Sequence, residues 1–105
     1  MTTATLLGPV SDFVDGAATK VAIGQRTLVV VRLGEDFYVL DDRCSHEDFP
    51  LSEGEVNVDR REIECERHGA QFDLVTGLPV SFPATQKVAT YRVTVVNGQV
   101  EVELP

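Results

Sequence analysis

All the cysteine and histidine in this 105-residue chain falls in two short stretches, "CSH" at 44–46 and "CERH" at 65–68. The pattern is Cys44-x-His46, eighteen residues, then Cys65-x-x-His68. Thiolates and imidazoles are good ligands for zinc or iron. Structural zinc sites usually pair cysteine with cysteine and histidine with histidine at close spacing. Here each stretch mixes one of each. A cysteine pair for one metal and a histidine pair for another must then be drawn from both stretches at once. A binuclear iron–sulfur cluster needs that arrangement when one iron is held by two Cys and the other by two His.

The rest of the chain has a β texture. "TKVAI", "RTLVVVRL" and "FYVLD", separated by "GQ" and "GED", read as strands joined by tight hairpins. The successive valines 29–31 predict a central strand covered on both faces. "ATLL" is expected to form a short first strand ended by Gly8 and Pro9, and "SDFVDGA" a turn. At the other end, "ATYRVTVV" reads as one strand with Tyr91, Val93 and Val95 on one face. Asn97-Gly98 is the strongest short hairpin signal, because both residues accept positive φ. "QVEVEL" then returns with Val100, Val102 and Leu104 inward and Glu101 and Glu103 outward.

Between these regions the texture changes. From about Asp42 to Ala84 the chain carries Pro50, Gly54, Gly69, Gly77, Pro79, Pro83 and many acids. Only short strands fit, near "EVNV", "REIE" and "QFD", and no helix of three turns is expected anywhere. The expectation is one all-β domain, 1–105, an antiparallel β-sandwich built from both ends of the chain. A small loop-rich part at about 42–85 is inserted in it and holds every Cys and His.

Charge and composition narrow the partners. Seventeen acids against nine bases give a net charge of −8. That argues against nucleic acid or an anionic membrane surface and is compatible with steering toward a positively charged protein. The N-terminus has no signal-peptide pattern and the apolar runs are strand-sized, so the chain reads as cytoplasmic with no membrane span. In a reducing cytosol two lone cysteines read as ligands or thiols rather than a disulfide. No G-x-G-x-x-G is present to bind a nicotinamide or flavin.

"CSHEDFPLSEG", "CERHGAQFDLVTG" and the proline stretch "SFPAT" together resemble the Rieske-type [2Fe–2S] ferredoxins, and the resemblance extends over nearly the whole chain. It implies a Rieske-type fold and one [2Fe–2S] cluster. Cys44 and Cys65 would hold the inner iron as thiolates, and His46 and His68 the outer iron through a ring nitrogen. Gly69 reads as permitting a tight turn that aims N–H groups at a sulfide or as an ordinary turn glycine, Pro83 as stiffening the family's third loop over the cluster or as a plain loop proline, and Phe49 and Leu51 as shielding the cluster, forming an apolar docking rim or packing a small subdomain. Glu47 and Asp48 tune docking or are simply solvated.

Two departures choose the subtype. Respiratory-chain members carry an extra cysteine in each cluster loop and a membrane helix, and neither is present here. High-potential members place a serine and a tyrosine where this chain has Ala70 and Phe72, whose side chains cannot donate a hydrogen bond to sulfur. The expectation is a soluble, monomeric, low-potential carrier of about −150 mV, the low end of the Rieske range. It would move single electrons from an NAD(P)H-dependent reductase to a terminal ring-hydroxylating oxygenase and have no substrate chemistry of its own. Two alternatives belong to the same fold, an accessory ferredoxin of iron–sulfur cluster assembly and a small nitrite-reductase-like subunit. A colourless zinc module is the last.

Overall fold

The computed structural model describes residues 3–42, 50–65, 70–80 and 87–104. Ten strands follow in chain order: β1 Thr3–Pro9, β2 Ala18–Ile23, β3 Arg26–Leu33, β4 Asp36–Asp41, β5 Val56–Asn57, β6 Glu62–Glu64, β7 Gln71–Asp73, β8 Thr90–Tyr91, β9 Val93–Val96 and β10 Gln99–Leu104. Among the described residues the helical content is two 3-10 turns, Val10–Asp12 and Leu51–Glu53. The strands form three antiparallel sheets, ordered β1-β10-β9, β2-β3-β4-β8 and β5-β6-β7.

Strand β3 explains how the sheets stack. Leu28 and Val30 point into an apolar cluster with Phe13, Phe37, Val39, Val100, Val102 and Leu104. Val29, Val31 and Leu33 point the other way, into a second cluster with Leu40, Leu51, Ile63, Cys65, Ala70, Phe72, Leu74 and Val88. Successive side chains of a strand face opposite sides, so a run of valines with no polar alternation is what a doubly covered strand requires. The four-stranded sheet is therefore the middle layer. The terminal sheet covers one face and the small β5-β6-β7 sheet covers the other, so the inserted part supplies half of the core.

The terminal hairpin matches its expected register. Val96 pairs with Gln99 across Asn97 and Gly98, whose φ values are 52° and 74°. Two consecutive positive φ values define the mirror-image turn that matches strand twist. Val100, Val102 and Leu104 are buried in alternation.

Three expectations are corrected. The first strand does not end at Gly8 and Pro9. β1 runs through both, with a register shift between Leu6 and Gly8, and pairs with β10. Pro9 is tolerated because β1 is an edge strand. "SDFVDGA" is not merely a turn, since Phe13 is buried and packs edge-on against Phe37 with ring centroids 5.8 Å apart. Finally, "ATYRVTVV" is two strands. It breaks at Arg92, where the chain leaves β4, the partner of β8, and joins β10, the partner of β9. Val95, on the same face as Val93, is 45% exposed on this edge strand.

Candidate metal centre

Of the four expected ligands, the structure places Cys65, fully buried at the end of β6. Cys44, His46 and His68 lie outside the described residues, as do Glu47, Asp48, Phe49, Gly69 and Pro83. The described residues do show where the three segments carrying them start and finish, and how those roots are fastened.

The first segment, 43–49, leaves from Asp42 and returns at Pro50 and the 3-10 turn Leu51–Glu53. The Ser52 N–H donates to Asp42 Oδ1 at 2.6 Å and the Ser52 hydroxyl to Asp42 Oδ2 at 2.8 Å. Immediately after, Gly54 lies against β6. A Cβ there would sit 1.6 Å from the Glu64 carbonyl oxygen, so no other residue fits without moving that strand. Gly54 has φ −85°, and the requirement is space, not backbone conformation. The Glu64 N–H donates to the Glu55 carbonyl at 2.8 Å, sealing this contact one residue before Cys65.

The second segment, 66–69, lies in sequence between β6 and β7, which pair antiparallel. Glu64 pairs with Gln71, and the Cys65 N–H donates to the Ala70 carbonyl at 2.6 Å. The third, 81–86, follows Val80, whose N–H donates to the Gln71 carbonyl at 2.8 Å. It ends before Val88, whose N–H donates to the Gly77 carbonyl, also at 2.8 Å. Gly77 is fixed by that approach, because a Cβ would lie 2.1 Å from the Val88 oxygen. All three segments thus spring from one base. Leu51, Cys65, Ala70, Phe72 and Val88, each within three residues of one of the segments in sequence, share a single buried cluster.

The donor chemistry fits an iron–sulfur group. A buried cysteine is a small apolar filler unless a metal or an electropositive partner draws out the thiolate. Here it directly follows β6 in an apolar cluster, with Ala70 and Phe72 also fully buried. Leu51, expected to shield the cluster, form an apolar docking rim or pack the insert, is fully buried in the apolar cluster, so it packs the insert and forms no exposed rim. No group of three or more His, Cys, Asp or Glu that could hold a metal occurs among the described residues, in keeping with three of the expected ligands lying outside them.

The eighteen-residue spacer between the two ligand stretches also finds a use. It builds the β5–β6 hairpin, whose turn ends at Arg61 with φ 53°. The Arg61 guanidinium donates to Asp36 Oδ2 at 2.9 Å and to the Tyr38 hydroxyl, and it lies over the Tyr38 ring. The Arg61 carbonyl accepts from the Leu74 N–H at 2.9 Å. The hairpin is thus clipped to β4 on one side and to the segment after β7 on the other.

Reading by sequence missed Asp42, Ser52 and Gly54. An acid just before the first ligand stretch, with a serine and a glycine just after it, was the available signal, but partners ten residues apart follow no local rule.

With this geometry in place, the comparisons with known proteins identify the centre. The Rieske [2Fe-2S] domain model matches residues 3–92. The chain is 36% identical over 109 residues to the anthranilate 1,2-dioxygenase ferredoxin subunit of Burkholderia cepacia, covering 99% of each. The ferredoxin of carbazole 1,9a-dioxygenase from Nocardioides aromaticivorans IC177 superposes with a TM-score of 0.91 at 29% identity, over 95% of this chain and 96% of that one. A chain of the complex of reduced oxygenase and oxidized ferredoxin in carbazole 1,9a-dioxygenase gives 0.86 at 36% identity, over 94% and 91%. This chain belongs to the Rieske [2Fe–2S] domain family, and its cofactor is one Rieske-type [2Fe–2S] cluster.

Proposed function

We propose that this protein is the low-potential ferredoxin component of a ring-hydroxylating oxygenase system. It takes single electrons from an NAD(P)H-dependent reductase and delivers them to the terminal oxygenase, without catalysing a substrate reaction itself. The observation that carries this reading is end-to-end likeness, at 36% identity, to a dioxygenase ferredoxin subunit. The likeness to a chain solved together with an oxygenase supports the same partner. Among the described residues no helix is long and apolar enough to cross a membrane. A cytoplasmic monomer suits a shuttle between two larger proteins.

Residues 42–85 act in this reading as the cluster-binding part of one domain, 1–105. Cys44 and Cys65 hold one iron as thiolates, and His46 and His68 hold the other as neutral imidazoles. When bound, the cluster supplies a one-electron acceptor whose potential is raised by the loss of two thiolate charges relative to an all-Cys cluster. The chain's own side chains then set how far it rises. Ala70 and Phe72 offer no hydroxyl to a cluster sulfur, which keeps the potential low. Leu51, Phe72 and Val88 keep water from the base of the centre. The net charge of −8 favours encounter with a basic face on a redox partner.

Reconstitution tests the reading. Purified protein, a flavin-dependent reductase and a ring-hydroxylating oxygenase from the same cell should turn over only when all three are present. Turnover that is indifferent to this protein, together with pull-down of cluster-assembly proteins alone, would assign it to assembly instead.

A further inference from the structure

Among the described residues, Asp42 is the one charged side chain that is buried, at 8% exposure. It stands two positions before Cys44, so their Cα atoms are at most about 7 Å apart. Its own N–H donates to the Thr27 carbonyl of β3 at 3.0 Å, which fixes it to the middle sheet. Its two carboxylate oxygens take the N–H and the hydroxyl of Ser52, at 2.6 and 2.8 Å. Each carboxylate oxygen thus has its own partner on Ser52. The neighbouring Asp41 faces elsewhere and accepts from the Tyr91 hydroxyl at 2.6 Å.

We infer that Asp42 is a positioning residue for the cluster. Its carboxylate bolts the two ends of the Cys44–His46 segment together, and its buried charge lowers the reduction potential. This rests on the reading that Cys44 and His46 are ligands. A buried charge is tolerated only where hydrogen bonds satisfy it, and Ser52 supplies both. The bolt ties Asp42, two residues before Cys44, to Ser52, six residues after His46. A fixed negative charge in a low-dielectric base also disfavours adding an electron nearby.

Two variants of the cluster-loaded protein test this. Asp42→Asn keeps the shape and an acceptor for the Ser52 N–H but removes the charge. Its midpoint potential should shift upward while the electron-paramagnetic signature of the reduced cluster stays that of wild type. Ser52→Ala removes one bond and leaves the charge. Release of iron to a chelator should accelerate on the order of tenfold, the loss of one charge-assisted hydrogen bond, with the potential near that of wild type. Asp42→Asn with both the potential and the release rate of wild type overturns the inference. If Asp42→Asn retains no cluster, Ser52→Ala decides: faster release supports the bolt, and wild-type release refutes it. Failure of the underlying ligand reading looks different, since the signature would then survive in Cys44→Ser whatever the Asp42 variants do.

Discussion

The terminal hairpin and the insert that carries the cluster are held together in opposite ways. In the hairpin each residue's side is set by its immediate neighbours. Val100, Val102 and Leu104 alternate inward, and Asn97-Gly98 supplies the turn. In the insert, strands β5, β6 and β7 are two or three residues long, too short for alternation to register. Order there comes from contacts between distant backbones. Gly54 lies against Glu64, Arg61 accepts from Leu74, and Gly77 packs on Val88. A scaffold encoded locally thus presents a site encoded by pairs of residues far apart in sequence.

The largest expected effect breaks the insert and leaves the scaffold. Gly54→Ala puts a methyl group inside contact distance of the β6 backbone. The variant should purify without its cluster, while the amides of β3 and β10 keep their protection from hydrogen exchange. Equal loss of protection in both regions would show that scaffold and insert fold as one unit.

A matched pair of cavities sharpens the contrast. Leu28 and Leu51 are both fully buried, the first between the middle and terminal sheets and the second between the middle sheet and the insert. Truncating either to alanine should cost about 2–5 kcal/mol in thermal unfolding. Only Leu51→Ala should also hasten loss of the visible absorption of the cluster. A third comparison leaves packing nearly intact. Ala70→Ser and Phe72→Tyr should each raise the midpoint potential by adding a hydroxyl where none exists. No change in either would mean that the sulfur is satisfied or shielded in some other way.

The smallest effect lies in the scaffold. Burial, and then the hydrogen bond to Asp41 and its negative charge, hold the Tyr91 phenol above its ordinary value of 10.0. A folded-state value above the unfolded one contributes stability that is intact below about pH 10 and lost as the pH rises through the folded value. Denaturant midpoints should therefore fall in alkali more steeply for wild type than for Tyr91→Phe. Parallel curves would remove Tyr91 from the account.

The same contrast explains what could be read from sequence. The valine run at 29–31 and the Asn97-Gly98 turn are local patterns, and each led to the right architecture, while the sequence around the mixed Cys/His pairs led to the family and its cofactor. The break at Arg92 was hidden because a strand that changes sheets keeps its alternation. Phe13 was hidden because a core residue in a connection follows no period. Asp42, Ser52 and Gly54 were hidden for the reason the insert differs from the scaffold, that their partners are fixed only by the fold.

The central claim is a cluster with two imidazole ligands and no hydroxyl donors to its sulfur. One potentiometric titration followed by electron paramagnetic resonance addresses both halves. The account predicts a single one-electron wave at about −150 mV, the low end of the Rieske range. A wave near about −400 mV, typical of all-cysteine plant-type clusters, would contradict the histidine ligands. A clearly positive midpoint would contradict the part assigned to Ala70 and Phe72.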